Sequence, residues 1–244
     1  MRYKMIISYD GAYFYGYQRQ KSKITVQEEI EKCLTLIFKQ PVEIKSAGRT
    51  DAKVHAIGQV AHFDSEQVIP LSQLKKAMNK ILKPHIYIKE IEIVDDSFHA
   101  RYDAIKKEYR YYISTNEYDP LKSQYIYFYP YKIDIETIKN TLLYFIGTKD
   151  FESLSKGHDK ENTVRTIYSF DVNENNGTYE FSIVGDGFLR NMVRIIIALI
   201  LKVNENKLTI NDINKIIEAR DRTKAPWTAP AEGLYLYKIY YNNK

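Results

Sequence analysis

Residues 188–203, FLRNMVRIIIALILKV, constrain this chain more than any other stretch. At helical spacing, Leu189, Met192, Val193, Ile196, Leu199, Ile200 and Val203 form one broad apolar face, and Ile195 and Ile197 widen it. A helix apolar nearly all round has to be buried, so the fold must wrap layers of structure about it. Its densest run, Ile195 to Leu201, is far below the roughly 20 residues that a membrane span needs. Arg190 and Arg194 fall in the first two predicted turns, four residues apart, which places them on one helix face. A guanidinium there cannot shed its charge. It needs a carboxylate or phosphate partner, or its stem must carry it along the helix edge to water.

The rest of the chain supplies such layers. The alternation of Tyr3, Met5, Ile7 and Tyr9 predicts a strand over 2–9. Thr25 and Glu28 have capping-box spacing. The helix they open carries Val26, Ile30, Cys33, Leu34 and Ile37 on one face. Short strands are expected at Val42–Ser46 and Gln59–Phe63. A second helix, with Leu71, Leu74, Ala77, Met78, Ile81 and Leu82 on its stripe, must stop before Pro84. Ile86 and Ile88 alternate in one phase and Ile91 and Ile93 in the other, which predicts a bulge near Glu90. The second half repeats the plan loosely. Strands are expected at Tyr109–Ser114 and Tyr125–Tyr129, and Asp134 is placed to cap a helix. A hairpin of about 164–173 and 178–184 turns at Asn176-Gly177, helices follow at about 188–203 and 210–219, and a strand closes at 234–241. This order fits an α+β fold of two ferredoxin-like, split βαβ halves, with mainly antiparallel sheets and helices on one face. The boundary is expected near Asp103, giving domains 1–103 and 104–244. One continuous sheet without a true boundary is the other arrangement the pattern allows.

Composition narrows the function. Hydrophobic residues at 44% and charged residues at 27% suit a soluble globular chain. The single Cys33 excludes an internal disulfide framework, and its place on a helical apolar stripe reads as core. MRYKMIISYD is too short and polar for a signal segment, so a reducing, cytoplasmic setting without membrane attachment is expected. Net charge +5 and 22 tyrosines permit a polyanion partner with base-stacking platforms. A bias toward Lys, Ile, Asn and Tyr would produce the same numbers. The five histidines (55, 62, 85, 99 and 158) show no metal-ligand spacing, and Gly185-Asp186-Gly187 lacks the lysine of a phosphate loop.

One polar connection lies between the predicted strands: Ala47 to Phe63 reads AGRTDAKVHAIGQVAHF. Arg49, Asp51 and His55 crowd a glycine-containing loop that begins and ends in core strands, a common place for function. An aspartate that merely caps a turn through its own backbone would look the same.

Gly48-Arg49-Thr50-Asp51-Ala52 with Val54-His55-Ala56 resembles the signature of the TruA-type tRNA pseudouridine synthases. YDGAYFYGYQRQ (9–20), FHARYDAIKKEYRYYI (98–113), GFLRNMVR (187–194) and AEGLYLYKIYY (231–241) are similar to further blocks of that family, in the same order. The resemblance implies an isomerase that converts uridine to pseudouridine in the anticodon stem-loop of tRNA, without metal or cofactor, as a homodimer. It implies an active-site cleft between the two halves, Asp51 as the catalytic carboxylate and Arg194 as its cationic partner. Tyr109 would be the active-site tyrosine that stacks on the base. Arg49 would guide or fill the space of a flipped uridine, and Leu234 would line the uracil pocket. Arg190 is expected to face RNA phosphate. His55 and His99 recur in the blocks and read as structural. Lys53 departs from the pattern, standing where the family usually has glycine. The readings from other classes are a non-catalytic RNA-binding protein or chaperone, a protein-binding ferredoxin-like domain, and a paralogue acting on another RNA such as rRNA.

Overall fold

The computed structural model describes residues 1–157 and 162–242. His158, one of the five histidines read for metal spacing, lies outside the described residues. In chain order the elements are β1 (Arg2–Tyr9), α1 (Val26–Phe38), β2 (Lys45–Ser46), β3 (His55–Asp64), α2 (Leu71–Leu82), β4 (Ile86–Val94), β5 (Ala104–Ser114), β6 (Tyr127–Phe128), α3 (Ile135–Leu142), β7 (Gly147–Asp150), β8 (Val164–Asn175), β9 (Thr178–Gly185), α4 (Met192–Asn204), α5 (Ile210–Glu218) and β10 (Leu234–Tyr241). The result is α+β with mostly antiparallel pairing, as the pattern of elements required. Two compact units form: residues 1–105 with 235–244, and residues 106–234. No described helix is long and apolar enough to cross a membrane.

In the first unit the sheet runs β4-β1-β3-β10, and β2 also pairs with β3. β1 is antiparallel to both β3 and β4. Its alternation is literal: Tyr3, Met5, Ile7 and Tyr9 are buried and the residues between them are not. The expected bulge is present one residue from Glu90. Ile6 pairs with Glu90 and Ile7 with Ile88, so Lys89 is the extra residue. Thr25 caps α1 by accepting from the Glu28 N–H, and Cys33 lies in the core. β10 joins β3 in parallel, pairing Tyr235 with His55 and Leu236 with Ala56. That close approach needs Gly58, because a Cβ there would sit 2.3 Å from the Tyr237 carbonyl oxygen.

In the second unit β5, β9, β8 and β7 form an antiparallel run, with β6 paired in parallel to β5. The Asn176-Gly177 turn has positive φ at both residues, 50° and 73°, which Asn and Gly tolerate and which matches the twist of a tight hairpin. Asp134 caps α3 through the Glu136 and Thr137 N–H groups. Ten of the thirteen residues of α4 are buried, as its all-round apolar sequence demands.

Several expectations need correction. The α4 helix begins at Met192, not at 188, because Asn191 adopts a left-handed φ of 61°. Arg190 therefore precedes the helix, and Arg190 and Arg194 do not share a helical face. β2 covers only Lys45–Ser46 of the strand expected from Val42, and β6 only Tyr127–Phe128 of 125–129. Both are edge segments with little ladder to extend them. β3 starts at His55 rather than Gln59, since β10 supplies a partner for its first residues.

Candidate active site

The loop between β2 and β3 carries Arg49, Thr50 and Asp51, and its main chain is held from several directions. The Gly48 carbonyl accepts from Gln59 Nε2 at 2.8 Å and from Ser46 Oγ at 3.1 Å. The Thr50 carbonyl accepts from the Tyr17 N–H at 3.0 Å, and the Lys53 N–H donates to the Phe14 carbonyl at 3.3 Å. The Val54 N–H closes a turn onto the Asp51 carbonyl at 3.2 Å. In that turn Lys53 has φ 65°. A left-handed residue at this point is where glycine is favoured, so the lysine holds a backbone conformation that costs an L residue free energy. Lys53 is exposed.

The opposing wall is the segment after β1. Gly11 and Gly16 let it approach the loop. A Cβ on Gly11 would lie 2.2 Å from the Val54 carbonyl oxygen, and one on Gly16 would lie 2.9 Å from that of Thr50. The Gly11 N–H donates to His55 Nδ1 at 3.0 Å, and the His55 ring stacks on Tyr235 with centroids 4.6 Å apart. His55 thus has the structural role expected of it. So does His99, whose Nδ1 accepts from the Arg101 and Tyr102 N–H groups. The Tyr9 hydroxyl and Thr50 Oγ1 form a buried hydrogen bond of 2.7 Å. Burial pushes the Tyr9 phenol above its ordinary range, so it stays neutral and available to that bond.

Exposure alternates along this stretch. Arg49 is exposed, Thr50 is buried, and Asp51 is partly exposed. The loop therefore leaves Arg49 at the surface and Asp51 partly accessible, on a backbone held by several hydrogen bonds.

The second unit holds the other predicted residues. Tyr109, on β5, is 8% exposed and meets the Phe188 ring edge-on at 5.2 Å. Gly185 leaves room for that ring, since a Cβ there would come within 3.0 Å of Phe188. Arg194 is partly buried, and its Nε donates to the Ala229 carbonyl at 2.7 Å. The Ala229 N–H returns a bond to the Arg194 carbonyl at 3.0 Å. Tyr111 is buried beneath this segment and donates its hydroxyl to the Pro230 carbonyl at 2.8 Å. Burial lifts the Tyr111 phenol well above its usual range, against the nearby charge of Arg194. Gly233 sits so close to the Tyr111 ring that a Cβ would fall 2.8 Å from it. Leu234 follows, buried, after a turn in which its N–H donates to the Ala231 carbonyl. Arg194 and Leu234 are thus fixed through one segment, 229–233. Arg190 is exposed, with its carbonyl taken by the Lys156 N–H.

The sequence reading missed Tyr9, Gly11, Gly16, Gln59, Tyr111 and Phe188. The first three lie in the block 9–20, where the glycine spacing was visible but had no partner to explain it.

A family model described as tRNA pseudouridine synthase matches residues 5–103 and 142–242. The chain belongs to the tRNA pseudouridine synthase family. Its relatives carry the more particular name tRNA pseudouridine synthase A. One from Geobacillus sp. (strain WCH70) is 45% identical over 245 residues, covering 99% of each chain. One from Bacillus subtilis (strain 168) is 42% identical over 247 residues, covering 100% of each. One from Staphylococcus aureus (strain MRSA252) is 40% identical over 242 residues, covering 98% of this chain and 92% of the relative.

Proposed function

We propose that this chain is an isomerase that converts uridine to pseudouridine in the anticodon stem-loop of tRNA, in the cytoplasm, as a homodimer. The observation that carries the reading is the loop 48–54: Asp51 is partly exposed on a backbone pinned by Gln59, Ser46, Tyr17 and Phe14. That geometry suits a group that must meet one carbon atom repeatedly in the same position. The end-to-end similarity to proteins named tRNA pseudouridine synthase A supplies the substrate.

The reaction breaks the N1–C1′ bond of uridine, turns the uracil, joins C5 to C1′ and releases the C5 proton. Asp51 serves at the ribose, either attacking C1′ or removing a ribose proton to give a glycal; both roles require the carboxylate form. Arg194 is its cationic partner. Tyr109 stacks on the uracil, and its hydroxyl assists loss of the C5 proton. A base in a stem must leave its stack first, and Arg49 guides that exit. Leu234 lines the uracil pocket, and Arg190 meets a backbone phosphate. Residues 1–103 supply the catalytic loop, and residues 104–244 supply Tyr109, Arg194 and the strand that opens at Leu234. The step is redox-neutral, and the proposal includes no metal or cofactor.

Carbodiimide mapping of pseudouridine in RNA from cells lacking the protein tests this directly. The expected result is loss of modification confined to the anticodon stem-loop of tRNA, restored by the purified protein. Loss in rRNA instead would reassign the substrate, and unchanged maps together with RNA binding would favour a non-catalytic RNA-binding protein.

A further inference from the structure

Thr50 is the inward-facing residue of the loop, 7% exposed, between outward Arg49 and Asp51. Arg49, Thr50 and Asp51 share one stretch of backbone, so fixing Thr50 constrains where both neighbours can lie. Two independent bonds fix it. Its carbonyl takes the Tyr17 N–H, which holds the peptide plane between Thr50 and Asp51. Its hydroxyl bonds the Tyr9 hydroxyl in a buried site, which holds its χ1. Threonine is already stiff at χ1, and the tyrosine selects one of its few rotamers. Tyr9 itself is 4% exposed at the end of β1, with its ring centroid 6.2 Å from that of Tyr17. It therefore transmits the position of the central strand to the loop.

We propose that Tyr9 is a positioning residue for the reaction: its hydroxyl, acting through Thr50, aims the Asp51 carboxylate. This rests on the reading of Asp51 as the catalytic group. Tyr9 never touches the substrate. Its contribution is to remove the torsional freedom that would let Asp51 swing away from the ribose.

The test measures release of tritium from a tRNA transcript carrying 5-tritiated uridine, alongside the dissociation constant for the same transcript. The variants are Tyr9→Phe, Thr50→Val, Thr50→Ser, the double Tyr9→Phe/Thr50→Val, and Asp51→Asn. Tyr9→Phe and Thr50→Val should each lower kcat roughly 10- to 100-fold. Binding should stay within about twofold, because it rests on many backbone contacts elsewhere. The double variant should be no slower than the slower single, since both remove the same bond. Thr50→Ser keeps the hydroxyl and should recover most of the turnover lost in Thr50→Val. Turnover of Tyr9→Phe within about twofold of the parent, or losses that multiply in the double variant, would overturn the proposal. If Tyr9→Phe does not fold, the contrast of Thr50→Ser with Thr50→Val decides. If Asp51→Asn stays active, the functional reading falls and the positioning role falls with it. If Asp51→Asn is dead and Tyr9→Phe is not, only the positioning role is wrong.

Discussion

Arg194 and Ala229 are joined in both directions, with the arginine Nε donating to the Ala229 carbonyl at 2.7 Å and the Ala229 N–H donating back to the Arg194 carbonyl at 3.0 Å. A single residue on α4 thereby holds the segment that leads to Leu234. Arg194→Met keeps much of the apolar stem but loses the bond and the charge. Turnover should fall by roughly 100-fold or more, on the scale of losing one fixed electrostatic group. Arg194→Lys retains charge without the forked geometry and should fall between the two. Tritium-release rates check this. Near-parental turnover would remove Arg194 from the mechanism.

Asp51→Asn should reduce pseudouridine formation below a few per cent while tRNA affinity changes little. Binding should weaken steeply with added salt in both parent and variant, because basic residues release counterions from the RNA backbone. Filter binding across a salt series gives the slopes. A variant that loses affinity in proportion to activity would make Asp51 a binding residue instead.

Lys53 sits at φ 65°, where an L side chain pays for the left-handed conformation. Lys53→Gly should stabilise the protein by up to about 1 kcal/mol, the relief of strain being partly offset by the greater freedom of unfolded glycine. Lys53→Val, β-branched, should destabilise it. Urea unfolding resolves differences of this size. A destabilised glycine variant would show that the lysine side chain matters more than its backbone strain.

Stability should fall in mild acid through His62. Its Nδ1 accepts the buried Ala100 N–H at 3.1 Å, and the residue is 1% exposed. Burial first, and then the charge of Arg2, lowers its pKa from 6.5 to about 4. The unfolded chain therefore binds a proton that the folded one refuses. The stabilisation is complete above pH 6.5 and is lost as pH falls toward 4. Its size is on the order of 2 kcal/mol once solvent screening is allowed for. His62→Asn preserves an acceptor for Ala100 but cannot titrate, so urea midpoints compared at neutral and mildly acid pH should show a flatter dependence. Equal slopes for parent and variant would exclude His62 as the source.

The elements legible in the sequence were those fixed by local patterns. α2 and β10 have the expected extents, and α1 and α3 open at the expected caps, because caps, apolar stripes and alternation act residue by residue. The type I′-like turn at Asn176-Gly177 and the bulge at Lys89 were visible for the same reason. Arg190 was misplaced because apolar residues at 188 and 189 continue the helical pattern, while the left-handed Asn191 that ends it gives no periodic signal. The supports of the loop were invisible because they are long-range. Tyr9 and Thr50 are 41 positions apart, and Gly11 and Gly16 serve a backbone that only the fold brings near them.

The pairing of β10 with β3 also sets a timetable. His55 and Ala56 acquire their parallel partners only when Tyr235 and Leu236 have been made, 180 residues later. At ribosomal speeds of about 5–20 residues per second, that is a delay of roughly 10–40 s. All of the second unit is synthesised in the meantime. Throughout that interval the first residues of β3, directly after Asp51, present an unpaired edge of the kind that invites other chains. A nascent protein of this design completes the frame of its proposed catalytic loop late in its own translation. Chains that terminate before Tyr235 leave that edge open permanently.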